Sequence, residues 1–168
     1  NKKIAIIGGG ISGLSCAIDL EKKGYSVAIY EKENRLGGRL NELIGDTLPE
    51  NVLLEEMESI KKTKINIKLE SEIGKSDIEE LQKEYGAIFI GTGKWEDELN
   101  IDELTLSTKL DGVFAGGRIL NKDDSIILSV ANGKSAANSI DRYAQKTSLT
   151  AHREKESFYE TELEVDIS

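Results

Sequence analysis

The hydrophobic positions open with an unbroken run, Ile4 to Ile7, that stops at Gly8-Gly9-Gly10. A short apolar run bounded by glycine is the pattern of a strand buried on both faces. Leu14, Cys16, Ala17 and Ile18 follow on one helical stretch, and YSVAIY (25–30) is a second apolar strand ending at the acid Glu31. Further on, NVLLEEMESIKK (51–62) spaces Val52, Leu53, Met57 and Ile60 as a helix, with Asn51 as its cap behind Pro49. INIKLES (65–71) alternates as a strand, and SDIEELQKEY (76–85) begins with the capping-box pair Ser76 and Glu79. GAIFIGTG (86–93) and GVFAGG (112–117) are two more glycine-terminated strands, the second leading through a polar loop into a long helix. Residues 94–111 fit no single element.

The first strand, turn, helix, second strand and acid stand in the order of a dinucleotide-binding βαβ unit, with GxGxxG at Gly8, Gly10 and Gly13. Gly8 lets the chain leave the strand in a tight turn, Gly10 lets backbone approach a pyrophosphate, and Gly13 lets the helix pack close to the sheet. The helix opening at Ile11 and Ser12 turns its unpaired N–H groups and positive dipole end toward phosphate. Glu31 can accept bonds from ribose hydroxyls. Gly9, at an x position, adds little to the motif.

NAD and FAD both use such a turn, so the motif leaves the cofactor open. Three other segments carry a resemblance that decides it. KENRLGGR (32–39) puts Gly37 and Gly38 a few residues after the acid, with Arg35 or Arg39 able to neutralise phosphate. Gly91-Thr92-Gly93 is similar to the Ala-Thr-Gly strand end of two-dinucleotide flavoproteins. GVFAGGRILNKDDSIILSVANGKSAANSID (112–141) resembles the segment that closes over the ribityl chain and flavin ring. Together they resemble the FAD-binding part of the glutamate synthase small subunit and dihydropyrimidine dehydrogenase group of pyridine nucleotide-disulphide oxidoreductases, over residues 1 to about 145. The resemblance implies an α/β, Rossmann-like FAD-binding domain over 1–145, a parallel sheet with helices on both faces, and a tail over 146–168. It also implies a cofactor shell of Gly8, Gly10, Ile11, Ser12, Gly13, Glu31, Lys32, Gly38, Arg39, Ile73, Thr92, Gly93, Gly117, Arg118 and Ile126. Ile73 stands, with Glu72 and Gly74, where such proteins grip adenine through backbone.

Two departures bear on function. Members of the group insert an NADPH-binding domain between the segments corresponding to Gly93 and Val113, and this chain has nineteen residues there, 94–112. A dinucleotide domain takes on the order of 100 residues, so the expected domain is discontinuous in the family but joined directly here. Arg118 stands where the family has aspartate, which puts the usual ribityl hydroxyl contact in question.

Composition narrows the partners. A net charge of −9 and a pI near 4.8 argue against nucleic acid. No apolar run reaches the ~18 residues of a membrane span, and no signal peptide precedes the first strand, so a cytoplasmic protein is expected. The single cysteine, Cys16, makes no intrachain disulfide and no iron-sulfur site, and reads as a small buried hydrophobe. His152, alone in a polar tail, reads as solvated, and Met57 and the tyrosines as core or surface. No metal ligands and no catalytic acid or base are expected. Trp95 either covers a flavin face or patches the junction left without an inserted domain. The chain starts without methionine and ends after the strand-like ETELEVDI, the pattern of a fragment.

The leading expectation is an FAD-binding module of an oxidoreductase that passes electrons between a pyridine nucleotide and another redox centre. Its implied partners are FAD and a separate NADPH domain or iron-sulfur protein. RLGGR (35–39) also resembles flavin amine oxidases and desaturases, and a non-catalytic nucleotide-binding module is the third alternative.

Overall fold

The computed structural model describes residues 2–38, 60, 63–119 and 126–151, with Arg118 and Ile126 described in backbone alone. The expected helix over 51–62, apart from a buried Ile60, lies outside the described residues, as do Arg39, Lys122 to Asp124, His152 and the tail beyond it.

Five parallel strands form one sheet in the order β3-β2-β1-β4-β5. They are β1 (Lys3–Ile7), β2 (Ser26–Tyr30), β3 (Asn66–Lys68), β4 (Ala87–Ile90) and β5 (Val113–Ala115). Among the described residues, three α-helices accompany them: α1 (Ile11–Lys22), α2 (Ile78–Glu84) and α3 (Ile126–Ala144). The unbroken apolar runs follow from burial on two sides. Ile4, Ile6, Val27, Ile29 and Phe89 join the core beneath α1 and α3, whereas Ala5, Ile7, Ala28, Ile88 and Ile90 join a second core with Ile78, Leu81 and Tyr85 of the α2 side. The α/β fold with helices on both faces is the one expected. Because β1 lies between β2 and β4, the chain crosses it in opposite directions, and a crevice opens beyond the carboxyl ends of these strands.

Helices α1 and α3 cross closely because Gly133 carries no side chain. A Cβ there would stand 2.5 Å from the Ser12 carbonyl oxygen and 3.0 Å from the Cys16 nitrogen. Cys16 is fully buried at this crossing, and burial pushes its thiol well above the usual range, so it behaves as the small hydrophobe expected.

Two local expectations are corrected. The helix expected from Ser76 begins instead with a 3₁₀ turn at Lys75–Asp77, and the Asp77 carboxylate accepts the Gly74 N–H at 2.8 Å. The donor sits two residues earlier than a Ser76–Glu79 box requires, so Asp77 satisfies the N–H in place of Glu79. Residues 94–111, which fitted no element, form an ordered connection. Asp102 accepts the Leu104 and Thr105 N–H groups at 2.9 and 3.0 Å, which hold its carboxyl below the usual carboxylate range, that of Thr105 foremost. The Ala115 N–H bonds to the Leu106 carbonyl at 2.9 Å and Ser107 bridges Phe114, so the connection covers the outer edge of β5. Leu99 and Leu106 are buried beneath it. Strands β4 and β5 pair directly, with no domain between them. Among the described residues, no helix is long and apolar enough to cross a membrane.

Candidate nucleotide-binding cleft

The crevice at the carboxyl ends of β1, β2 and β4 is a cleft of about 1100 Å³. Of the residues singled out in the sequence, Gly8, Gly10, Ile11, Ser12, Glu31, Lys32, Gly38, Ile73, Thr92 and Gly93 line it together. Gly13 and Gly117 are not among the described residues that line it. Arg39 lies outside the described residues, as do the side chains of Arg118 and Ile126.

The three motif glycines have three separate causes. Gly8 has φ +100°, and a Cβ on it would lie 2.8 Å from the Gly91 carbonyl oxygen at the end of β4. At Gly13 a Cβ would stand 2.1 Å from the Gly8 carbonyl oxygen, so α1 rests on its own turn only because that position is bare. Gly10 is different. It caps α1 in extended backbone, and a Cβ on it would meet nothing within 4 Å. Among the described residues, no contact requires glycine at this position, which borders the cleft. The helix has no side-chain cap and no acid in its first turn, so its amino-terminal N–H groups and dipole are left for an anion.

Glu31 ends β2 almost fully buried. One carboxylate oxygen accepts the Gly9 N–H at 2.8 Å and the other the Glu33 N–H at 2.9 Å. The acid therefore pins the glycine turn to the end of β2, and each oxygen keeps a further lone pair for a hydroxyl. Gly9 is more constrained than its x position suggested. Its carbonyl accepts the Gly37 N–H at 2.8 Å, and a Cβ would lie 2.6 Å from Leu36 Cδ2 and 3.2 Å from Glu31 Oε1. The second glycine pair is thus built onto the first turn, and a Cβ on Gly38 would stand 3.2 Å from Gly10 Cα.

Ser12 is a packing hub as well as a cleft residue. Cβ atoms on Gly91 and Gly117 would stand 2.9 and 2.5 Å from its hydroxyl, which explains why β4 ends in glycine rather than alanine. Gly117, at φ +76°, donates its N–H to Asn132 Oδ1 at 3.0 Å, tying the β5 turn to α3. Sequence reasoning missed Asn132, and it missed Tyr30, Asn34, Ser71 and Ser129 as cleft residues. Only Tyr30, next to Glu31, and Asn34, within the KENRLGGR stretch, had a signal. Trp95 borders the cleft and packs on the second core, as a residue patching the junction would. Among the described residues, no group of three His, Cys, Asp or Glu side chains is placed to hold a metal ion.

Comparison with known proteins agrees with this geometry. Residues 6–44 match the NAD(P)-binding Rossmann-like domain family. The NADP(+)-dependent formate dehydrogenase subunit beta of Moorella thermoacetica is 42% identical over 94 residues, 55% of this chain and 13% of its own. The NAD-dependent dihydropyrimidine dehydrogenase subunit PreT of Escherichia coli O157:H7 is 42% identical over 93 residues, 54% of this chain and 23% of its own. The homologues belong to the pyridine nucleotide-disulphide oxidoreductase group. A thioredoxin reductase from Gloeobacter violaceus shares the fold, with a TM-score of 0.58 at 12% identity over 88% of this chain and 97% of that one. The chain thus corresponds to under a quarter of the length of these two curated relatives.

Proposed function

We propose that this chain is the FAD-binding module of an oxidoreductase that passes electrons between a pyridine nucleotide and another redox centre. The observation that carries the reading is the open face of Gly10. A position with no packing need for glycine among the described residues is kept bare at the uncapped start of α1, and a buried carboxylate, Glu31, follows the end of β2. That arrangement suits a dinucleotide pyrophosphate and its adenosine. In support of FAD over NAD stand the second glycine pair against Gly10 and the continuation of the cleft past Gly93 to Ser129 of α3.

In this reading the α1 terminus and the backbone around Gly10 and Gly38 hold the pyrophosphate. Glu31 orients the adenosine ribose, and the Ser71 to Ile73 wall holds the adenine. Gly117 and Arg118 close the far side. The flavin supplies hydride and electron transfer, and the protein supplies binding and orientation. The direct β4–β5 junction leaves no nicotinamide platform at that point of the chain, so the pyridine nucleotide would be presented by a separate domain or partner.

Titration of FAD, FMN and NAD into the purified chain tests the proposal. FAD is expected to bind well above the other two. Dithionite is expected to reduce the bound flavin readily, and NADPH only slowly and without saturation. Absence of saturable FAD binding by folded protein overturns the reading, and rapid saturable reduction by NADPH overturns the missing platform.

A further inference from the structure

We infer that Trp95 is a cofactor-contacting, specificity-determining residue that stacks on the adenine end of the nucleotide, held in place by an ionic clamp on its own loop. The inference rests on the proposed dinucleotide site and names the residue that selects a purine there.

The loop is anchored on both sides of Trp95. Before it, the Thr92 hydroxyl donates to the Lys94 carbonyl and closes a tight turn after β4. After it, Glu96 Oε1 accepts the Lys75 N–H at 3.3 Å, and Asp97 Oδ2 lies 3.5 Å from Lys75 Nζ and 3.1 Å from Lys109 Nζ. These contacts join residues 92–97 to the turn that follows Ile73. A Cβ on Gly74 would stand 2.9 Å from Glu96 Oε1, so the two walls meet there. Between the anchors, the half-buried Trp95 rests on the second core and presents surface to the cleft. Ile73 does the same from the neighbouring wall. An aliphatic side chain and an indole on adjoining walls of the cleft suit a flat, weakly polar heterocycle, and the Ser71 N–H bonds to the Glu31 carbonyl at 2.8 Å, which puts this wall on the Glu31, adenosine side.

Trp95 is the single tryptophan of the chain, which makes the test direct. ADP is the probe, because FAD and NAD share it and it does not absorb indole emission. Failure of the flavin reading alone therefore leaves this test unaffected. Saturating ADP is expected to shift or quench the tryptophan emission. Trp95→Leu, which keeps apolar packing on the core, is expected to weaken ADP and FAD by the same factor, about five- to tenfold, and leave FMN unchanged. Trp95→Phe is expected to stay within about threefold of the parent. Asp97→Asn is expected to weaken ADP at low salt and to flatten its salt dependence. Unchanged emission at saturating ADP overturns the inference. So does a Trp95→Leu protein with parental melting that binds ADP normally, or loses FAD alone, which would put the indole on the flavin. If Trp95→Leu does not fold, the parent emission and the Phe variant still decide.

Discussion

Gly10 and Gly13 belong to one motif, yet the structure assigns them opposite sensitivities, and exchanging each separates binding from folding. Gly10 is extended at φ −81° and ψ −167°, a backbone with negative φ that does not demand glycine, and its Cβ direction is empty among the described residues. Gly10→Val should therefore change stability by no more than about 1 kcal/mol, since loss of the weak glycine cap is offset by a stiffer unfolded chain. Its branched side chain would occupy the space over the α1 terminus. Losing two charge-assisted phosphate bonds, at about 1.5–3 kcal/mol each, should weaken FAD by about 100-fold or more. Gly13→Ala is the reverse case. Its Cβ would fall 2.1 Å from a backbone carbonyl that no rotamer change can move. The top of the overpacking range, about 3 kcal/mol, is expected, which is a fall of about 6–12 °C in Tm for a domain of this size. Circular-dichroism melts and FAD titrations of both variants check this. A folded Gly10→Val protein that binds FAD like the parent refutes the placement of the pyrophosphate, and an unchanged Tm for Gly13→Ala refutes the packing argument.

Three more outcomes follow from single side chains. Glu31→Gln keeps one acceptor but sets an amide N–H against a backbone donor, so it should lower Tm and weaken FAD by about 1.5–3 kcal/mol; FMN, lacking the adenosine ribose, should lose less, as isothermal titration can measure. Asp102→Ala removes both N–H partners of the β4–β5 connection and should destabilise the protein by about 1–3 kcal/mol in urea melts, with an unchanged FAD affinity if the cleft is independent of that turn. Tyr25 donates to Asp141 at 2.6 Å, and burial first, then that bond, pushes its phenol up to about 12. A phenol raised on folding favours the native state fully below the unfolded value near 10 and loses that contribution as pH rises toward 12, so Tm should fall above pH 10 and fall less steeply in Tyr25→Phe.

The βαβ unit was legible in the sequence because its information is local. Strand runs, the glycine turn, the α1 periodicity and Glu31 lie within 31 residues, and backbone conformation there is dictated by neighbours in sequence. The parallel sheet followed from the order of these elements. What local pattern does not hold is distance between remote segments. That Gly9 is packed under Leu36 and bonded to Glu31, or that Gly91, Gly117 and Gly133 each make room for parts of Ser12, depends on chain segments up to 121 residues apart meeting in space. The same holds for Asn132 on the Gly117 turn and for Lys75 clamping the Trp95 loop, since a surface lysine or a helical asparagine looks the same in sequence whether or not it has such a partner. The sequence by itself determined the glycine turn between β1 and α1. Only the tertiary structure decided which motif glycines are bare for packing and which one, Gly10, has open space beside it, because that difference is whether the space beside a missing Cβ is filled by protein.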